Sequence, residues 1–307
     1  MLYLLTAVVC SASITLIFHI SESRGMNRYV VTTVNYLVAS LISLIFILFG
    51  NLPESSFSGA ASAFLNEFEG AMKGGAFSPS GSLGWAVIVG ISTGILYYLG
   101  FIYLQRAVKE SGVSLAGSFS RMGILVPIIL SILLFRELPS SLQWVGICLA
   151  LFSILLANID PSKSAGFLSG FQPVLIILFL IVGLAEFSNK VFQKYGVLEA
   201  KSLFLFFVFT TALLISTWKT ISKGERPKFS NIIIGFAVGI PNFFASFFLI
   251  LALSRLQTAV VFPLYSALTI VIISLSGWII FGEKLKKRER FAVTLTVAAL
   301  ILVNLHS

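Results

Sequence analysis

The sequence predicts an all-α integral membrane protein with ten transmembrane helices arranged as a 5+5 inverted-topology repeat, and three observations lead there. The 307 residues are 57% hydrophobic and only 11% charged, with a mean hydropathy of +1.00. Most of the chain therefore has no compatible solvent except lipid or other apolar helices. Apolar runs recur at lengths of roughly 18 to 24 residues, enough to cross about 30 Å of hydrocarbon at about 1.5 Å per residue. Finally, the two halves close with the same order of features: a long apolar run, a short acidic connection and a shorter run.

Taken in order, the runs fall at 2–20, 29–50, 84–104, 113–135, 141–159, 173–192, 199–218, 230–253, 259–281 and 289–305. They do not alternate polar with apolar residues as barrel strands would, so helices follow. The first starts at Met1 without a basic region, and Ala12 to Ile20 offers no small-residue cleavage site. It reads as a retained span rather than a signal peptide. Most connections are short and force antiparallel neighbours. The exception is 51–83, rich in Ser, Gly and Ala. Within it Phe57, Phe64, Leu65, Phe68, Met72 and Phe77 are spaced loosely as on one helical face, so the segment is either an amphipathic helix on the membrane surface or a solvated loop. In the third run Gly90 and Gly94 form a small-xxx-small face that marks close helix packing.

The net charge of +9 does not point to nucleic acid, because the basic residues sit in short segments between apolar runs and act as topology signals. Lys and Arg concentrate in the connections after runs 1, 3, 5, 7 and 9, chiefly at 219–228 and 284–290. The positive-inside rule then places those connections in the cytoplasm and both termini outside, in what reads as a bacterial cytoplasmic membrane. Cys10 and Cys148 lie inside apolar runs and behave as small apolar side chains. The two histidines, His19 and His306, stand at run ends. No metal-ligand cluster, paired carboxylates, nucleophile-and-base arrangement or nucleotide-binding glycine motif appears. The reading is therefore no enzyme, no metal and no cofactor.

A division near Asp160 and Pro161 leaves five runs on each side: a first repeat over 1–159 with 51–83 inserted, a linker over 160–172 and a second repeat over 173–307. A gapless shift of 146 residues lays 113–159 over 259–305. It superimposes Ser120 on Ser266, Phe135-Arg136-Glu137 on Phe281-Gly282-Glu283, and Asn158 on Asn304. Because five is odd, the second half enters the membrane reversed, which is the plan of many secondary carriers. A small solute moved by alternating access is the expectation, with a channel or a scaffold without flux as the alternative.

The stretches "LLFRELPSSLQWVGICLALFSILLANI" and "IIFGEKLKKRERFAVTLTVAALILVNL" resemble the paired EamA-type repeats of the drug/metabolite transporter superfamily. There a Gly-Glu-x-Leu-like turn joins the fourth and fifth helices of each unit. The likeness covers nearly the whole chain apart from 51–83, and the first copy departs from it in carrying Arg136 where Gly is usual. The resemblance implies a ten-helix carrier of amino acids, nucleoside-like metabolites, sugars or drugs. Many members of that superfamily place both termini in the cytoplasm, opposite to the charge count, which is kept for this chain.

Arg121 is the sharpest site signal. A cation near the middle of run 113–135 costs roughly 2.5 to 3.5 kcal/mol on insertion scales and must face the interior. It either binds an anionic group of the solute or pairs structurally with Glu186. Glu186, well inside run 173–192, is a candidate for proton coupling or the neutraliser of Arg121 or Lys190. Lys190 resembles a lysine of the family pattern and could equally snorkel. Sodium is the other coupling ion kept open. Asn35, Tyr36, Tyr97, Tyr98, Asn242 and Tyr265 could line a polar cleft or bond helix to helix. The adjacent Tyr97 and Tyr98 point about 100° apart. Pro127, Pro241 and Pro263 interrupt their runs as hinges or as packed kinks, and Pro263 aligns with Gly117 in the repeat. The expected partners are an amphiphilic small molecule such as an amino acid and membrane lipid, with the protein a monomer or weak homodimer. A cationic compound relying on Glu186 is the rival substrate.

Overall fold

The computed structural model describes residues 1–50, 57–111, 113–158, 173–281 and 287–304. The linker 160–172, the second acidic turn at Gly282-Glu283, the residues 51–56 and the tail with His306 lie outside them. Among the described residues regular structure is entirely helical: α1 (Leu2–Ser23), α2 (Arg28–Phe49), α3 (Phe57–Met72), α4 (Pro79–Ser111), α5 (Val113–Met122), α6 (Leu125–Phe135), α7 (Ser141–Asn158), α8 (Pro173–Tyr195), α9 (Lys201–Ser222), α10 (Phe229–Leu253), α11 (Thr258–Phe281) and α12 (Lys287–Asn304).

Among the described residues seven helices, α1, α2, α4, α8, α9 with the turn leading into it, α10 and α11, are long and apolar enough to cross a membrane. The protein is a multi-pass membrane protein, and large apolar side chains such as Phe49, Trp218, Ile221 and Phe229 lie exposed on its surface, as lipid requires. The other three predicted runs appear differently. Run 113–135 is two helices, α5 and α6, of 10 and 11 residues. Run 141–159 is the shorter apolar helix α7, and α12 opens on Lys287, Arg288, Glu289 and Arg290, which cut into its apolar length. The inserted segment 51–83 contains an ordered helix. Its apolar side is shared between protein and surroundings: the Phe64 ring lies 5.3 Å from that of Phe77 and 5.5 Å from that of Phe68, whereas Leu65, Phe68 and Met72 are exposed.

Helix starts follow local chemistry. Asn27 caps α2, its Oδ1 accepting from the N–H groups of Tyr29 and Val30 at 3.0 and 3.2 Å. Ser78, before the Pro79 that opens α4, accepts from the Gly81 N–H at 3.1 Å, and Glu67 of α3 accepts from the Ser78 N–H at 2.7 Å. These side chains satisfy donors that the first helical turn leaves unpaired. At the end of α6, Arg136 adopts the left-handed conformation, φ 55° and ψ 33°, the helix-ending geometry that favours glycine. The next residue, Glu137, accepts from the Thr258 N–H at 3.0 Å and so caps α11.

The chain forms two compact units, residues 1–98 with 188–254 and residues 99–187 with 255–307. Neither is a contiguous half of the sequence. In the first, α2 packs against α9 and α10, and α1 against α10. Glycines permit the approach: a Cβ on Gly239 of α10 would stand 2.8 Å from the Asn35 carbonyl oxygen, and one on Gly94 of α4 would stand 2.5 Å from that of Val208 in α9. The Gly90 and Gly94 face is therefore a packing face, as its spacing predicts. Hydroxyl pairs Thr33 with Thr220 at 2.9 Å and Ser40 with Thr210 at 2.7 Å tie α2 to α9. Beyond the end of α9, Lys223 donates to Tyr29 Oη at 2.6 Å, a bond that raises the affinity of its amine for the proton above that of an ordinary lysine. In the second unit α7 packs against α12, α11 and α5. Buried Ser153 and Thr296 share a hydrogen bond of 2.6 Å beside a core of Ala150, Ala267 and Ala299.

Candidate functional site

Two charged side chains of the apolar runs, Arg121 and Glu186, meet where run 113–135 breaks. Arg121 is the penultimate residue of α5, and the helix stops at Gly123, whose N–H reaches the carbonyls of Phe119 and Ser120 at 3.1 and 3.3 Å. Ten helical residues before the break and eleven after it put it about 15 Å from each end at 1.5 Å per residue, the middle of the run. A cation at the C-terminal end of α5 also complements the negative end of the helix dipole. The position related to Arg121 by the 146-residue shift is Ala267, fully buried, so only one copy carries the charge.

α8 reaches the break through glycine. A Cβ on Gly183 would stand 2.4 Å from the Gly123 carbonyl oxygen and 2.5 Å from the Val126 side chain, so the two backbones touch. Glu186 follows Gly183 by three residues on the same face of α8. Glu186 and Tyr265 of α11 both lie in electrostatic range of Arg121. All three are half-buried. The guanidinium, the carboxyl and the phenol, predicted separately from three runs, thus belong to one unit and one neighbourhood. Sequence reasoning missed Gly123 and Gly183. Each is a lone glycine without a small-xxx-small partner, and only three-dimensional contact reveals its role.

Asn35, Tyr36, Tyr97, Tyr98, Lys190 and Asn242 belong to the other unit. There the Asn242 amide donates to Asn35 Oδ1 at 3.0 Å, joining α10 to α2. Tyr36 is buried and in electrostatic range of Tyr97 and Tyr98. The two adjacent tyrosines look into different surroundings, as their angular separation predicts: Tyr97 Oη lies 3.4 Å from Ser246 Oγ, while Tyr98 is in range of Tyr29 and Lys223. Lys190 is buried and donates to Gln193 Oε1 at 3.0 Å, so it does not snorkel to a surface. The prolines differ among themselves. Pro241 and Pro263 lie inside continuous helices. Pro127 is the third residue of α6, within the first turn, where a missing N–H costs no helical bond; the break precedes it. Among the described residues no group of three or more His, Cys, Asp or Glu could hold a metal ion.

Apolar helices long enough to cross a membrane define a multi-pass membrane protein, and the family it matches is one of transporters. The model of the EamA-like transporter family matches residues 1–159, just over half of the chain, and the chain belongs to that family, within the drug/metabolite transporter superfamily. The model of the Small Multidrug Resistance protein family matches residues 204–296. A protein of Haemophilus influenzae described only as uncharacterized is 22% identical over 301 residues, covering 97% of this chain and 95% of its own. A protein of Lactobacillus helveticus described as "Putative sugar uptake protein" is 30% identical over 180 residues, 56% of this chain and 60% of its own. A crystal structure 16% identical in sequence shares the fold, with a TM-score of 0.69 over 99% of this chain and 96% of that one.

Proposed function

We propose that the protein is a secondary carrier that moves a small amphiphilic solute by alternating access, with Arg121 as the contact for an anionic group of the solute. The observation that carries this reading is the placement of Arg121 at a mid-run helix break, in electrostatic range of Glu186 and Tyr265. Broken helices supply free backbone groups and charge at mid-membrane, where carriers hold their solutes. A guanidinium keeps its charge and can grip a carboxylate bidentately. Glu186 is the proposed proton coupler, with Lys190 a second candidate. Within the other unit, Asn35, Tyr36, Tyr97, Tyr98 and Asn242 are the hydrogen-bonding side chains proposed to meet a solute there, and Pro241 and Pro263 are the proposed points of flexure.

The 5+5 inverted repeat belongs to the same proposal, and the α7–α12 contact supports it. Shifting Ser153 and Thr296 by 146 residues gives Ala299 and Ala150, which are packed in one core beside them. The pair and its shifted counterparts thus lie on the same two helices with their roles exchanged, as expected of a twofold relation between two repeats.

The test is uptake into proteoliposomes of amino acids, sugars and quaternary amines, comparing wild type with Arg121→Ala and Glu186→Gln. Arg121→Ala is expected to weaken half-saturation for the carboxylate-bearing substrate by about tenfold or more, at least ~1.4 kcal/mol. Equal transport at all concentrations removes Arg121 from the site. Glu186→Gln is expected to abolish the response to an imposed pH gradient, and a variant still driven by that gradient excludes the carboxylate as coupler. The match to the Small Multidrug Resistance family over 204–296 favours a second reading, a cationic compound held by Glu186. In that case quaternary amines are transported, Glu186→Gln loses them and Arg121→Ala does not. The relative described as a sugar uptake protein gives the sugars their place among the substrates tested.

A further inference from the structure

Three parallel stripes run along α3, each with the spacing i, i+4, i+7, i+11 of one helical face. Ala60, Phe64, Glu67 and Ala71 face the protein: Ala60 and Ala71 are buried, Glu67 caps the start of α4, and Phe64 stacks on Phe77 and on Trp85. Ala61, Leu65, Phe68 and Met72 form an exposed apolar stripe, with Leu65 71% exposed. Ser62, Asn66, Glu69 and Lys73 form an exposed polar one, closed by a Glu69–Lys73 ion pair. A solvated helix has no use for the middle stripe, and a buried one has no use for the third. The three together match a helix lying where protein, hydrocarbon and water meet.

The register along α4 agrees. A Cβ on Gly84 would stand 2.8 Å from Phe64 Cβ, so α3 crosses α4 at its sixth residue, about 7.5 Å along a helix that rises 1.5 Å per residue. Ile88, one turn further, begins a row of exposed isoleucines on α4 continued by Ile91 and Ile95. The apolar stripe of α3 therefore sits at the level where the lipid-facing surface of this span begins.

The geometry points to α3 as an interfacial anchor that lies in the membrane plane, with Leu65, Phe68 and Met72 in the acyl boundary and Ser62, Asn66 and Glu69 in water. Its occupant is lipid of any headgroup, because the Glu69–Lys73 pair leaves the polar stripe without net charge. The assignment does not depend on the substrate site.

The test places a nitroxide at Leu65→Cys, Met72→Cys, Ser62→Cys or Asn66→Cys, in protein carrying Cys10→Ser and Cys148→Ser and reconstituted into vesicles of zwitterionic lipid. In power-saturation measurements, labels at Leu65 and Met72 are expected to collide preferentially with oxygen. Those at Ser62 and Asn66 are expected to collide with a water-soluble nickel chelate. Equal access of the chelate to all four overturns the assignment in favour of a solvated helix. Shielding of Leu65 and Met72 from both reagents overturns it in favour of a protein neighbour such as a second copy, and dependence on anionic lipid overturns the charge-independent anchor. Brominated-lipid quenching of Leu65→Trp exceeding that of Ser62→Trp is the same expectation without cysteine removal, and equal quenching counts against it.

Discussion

Single residues decide whether the candidate site can exist, and the decisive ones are not all charged. Arg121 and Glu186 were legible in the sequence because an ionised group inside an apolar run is too costly to be incidental. Gly123 and Gly183 were not, since a solitary glycine in a helix carries no sign of what approaches it. Yet a methyl group on Gly183 would stand 2.4 Å from a backbone oxygen that has no rotamer to yield. Gly183→Ala is expected to push α8 off the break, to destabilise the protein by about 1–3 kcal/mol as overpacking does, and to depress transport along with the melting temperature in detergent. Gly100→Ala is the control: the nearest atoms to a Cβ there lie at 3.8 Å, ordinary contact, and its melting curve should coincide with that of the wild type. The asymmetry between Arg121 and Ala267 was within reach of the 146-residue shift, whereas the convergence of Arg121 with Tyr265 needed the fold.

Helices and turns were legible where a capping side chain marks them and hidden where none does. The starts at Asn27 and at Ser78-Pro79 carry side chains whose chemistry announces a helix end, but the break at Gly123 carries no such side chain, and the Ser-bearing α5 with the strongly apolar α6 reads as one span by length. Pro127 stands in the first turn of α6, after the break at Gly123, where a missing N–H costs no helical bond. The family departure at Arg136 has a physical content that the sequence alone could not supply: the residue sits at φ 55°, where a side chain costs roughly 1–2 kcal/mol that glycine does not. Arg136→Gly is therefore expected to stabilise the protein by about 1 kcal/mol, seen as a higher melting temperature with unchanged solute affinity. A fall in melting temperature would mean that the Arg136 side chain contributes more than its backbone strain removes. The segment 51–83 was half legible. Its apolar spacing suggested a helix, but the assignment of Phe64 to the protein and of Leu65 to the outside depends on Gly84 and Trp85, far from it in spacing terms.

For the molecule as a whole, the charge distribution gives an orientation that the helices leave open. With Lys73 on the Lys-poor side and Arg226 in a basic connection, a membrane-impermeant maleimide applied to intact cells is expected to label Lys73→Cys and to spare Arg226→Cys in a background without native cysteines. The reverse pattern would overturn the orientation and bring the termini inside. The division into two units that each draw on both ends of the chain has a consequence for how the protein is made. When a ribosome has released only the first 159 residues, α1 waits for α10, α2 for α9 and α7 for α12, the last described helix of all. These three helices are inserted before their mates have been synthesised, so messages cut short in the second half leave packing faces bare in the bilayer, and such fragments are expected to be material for membrane proteases rather than half-active pieces.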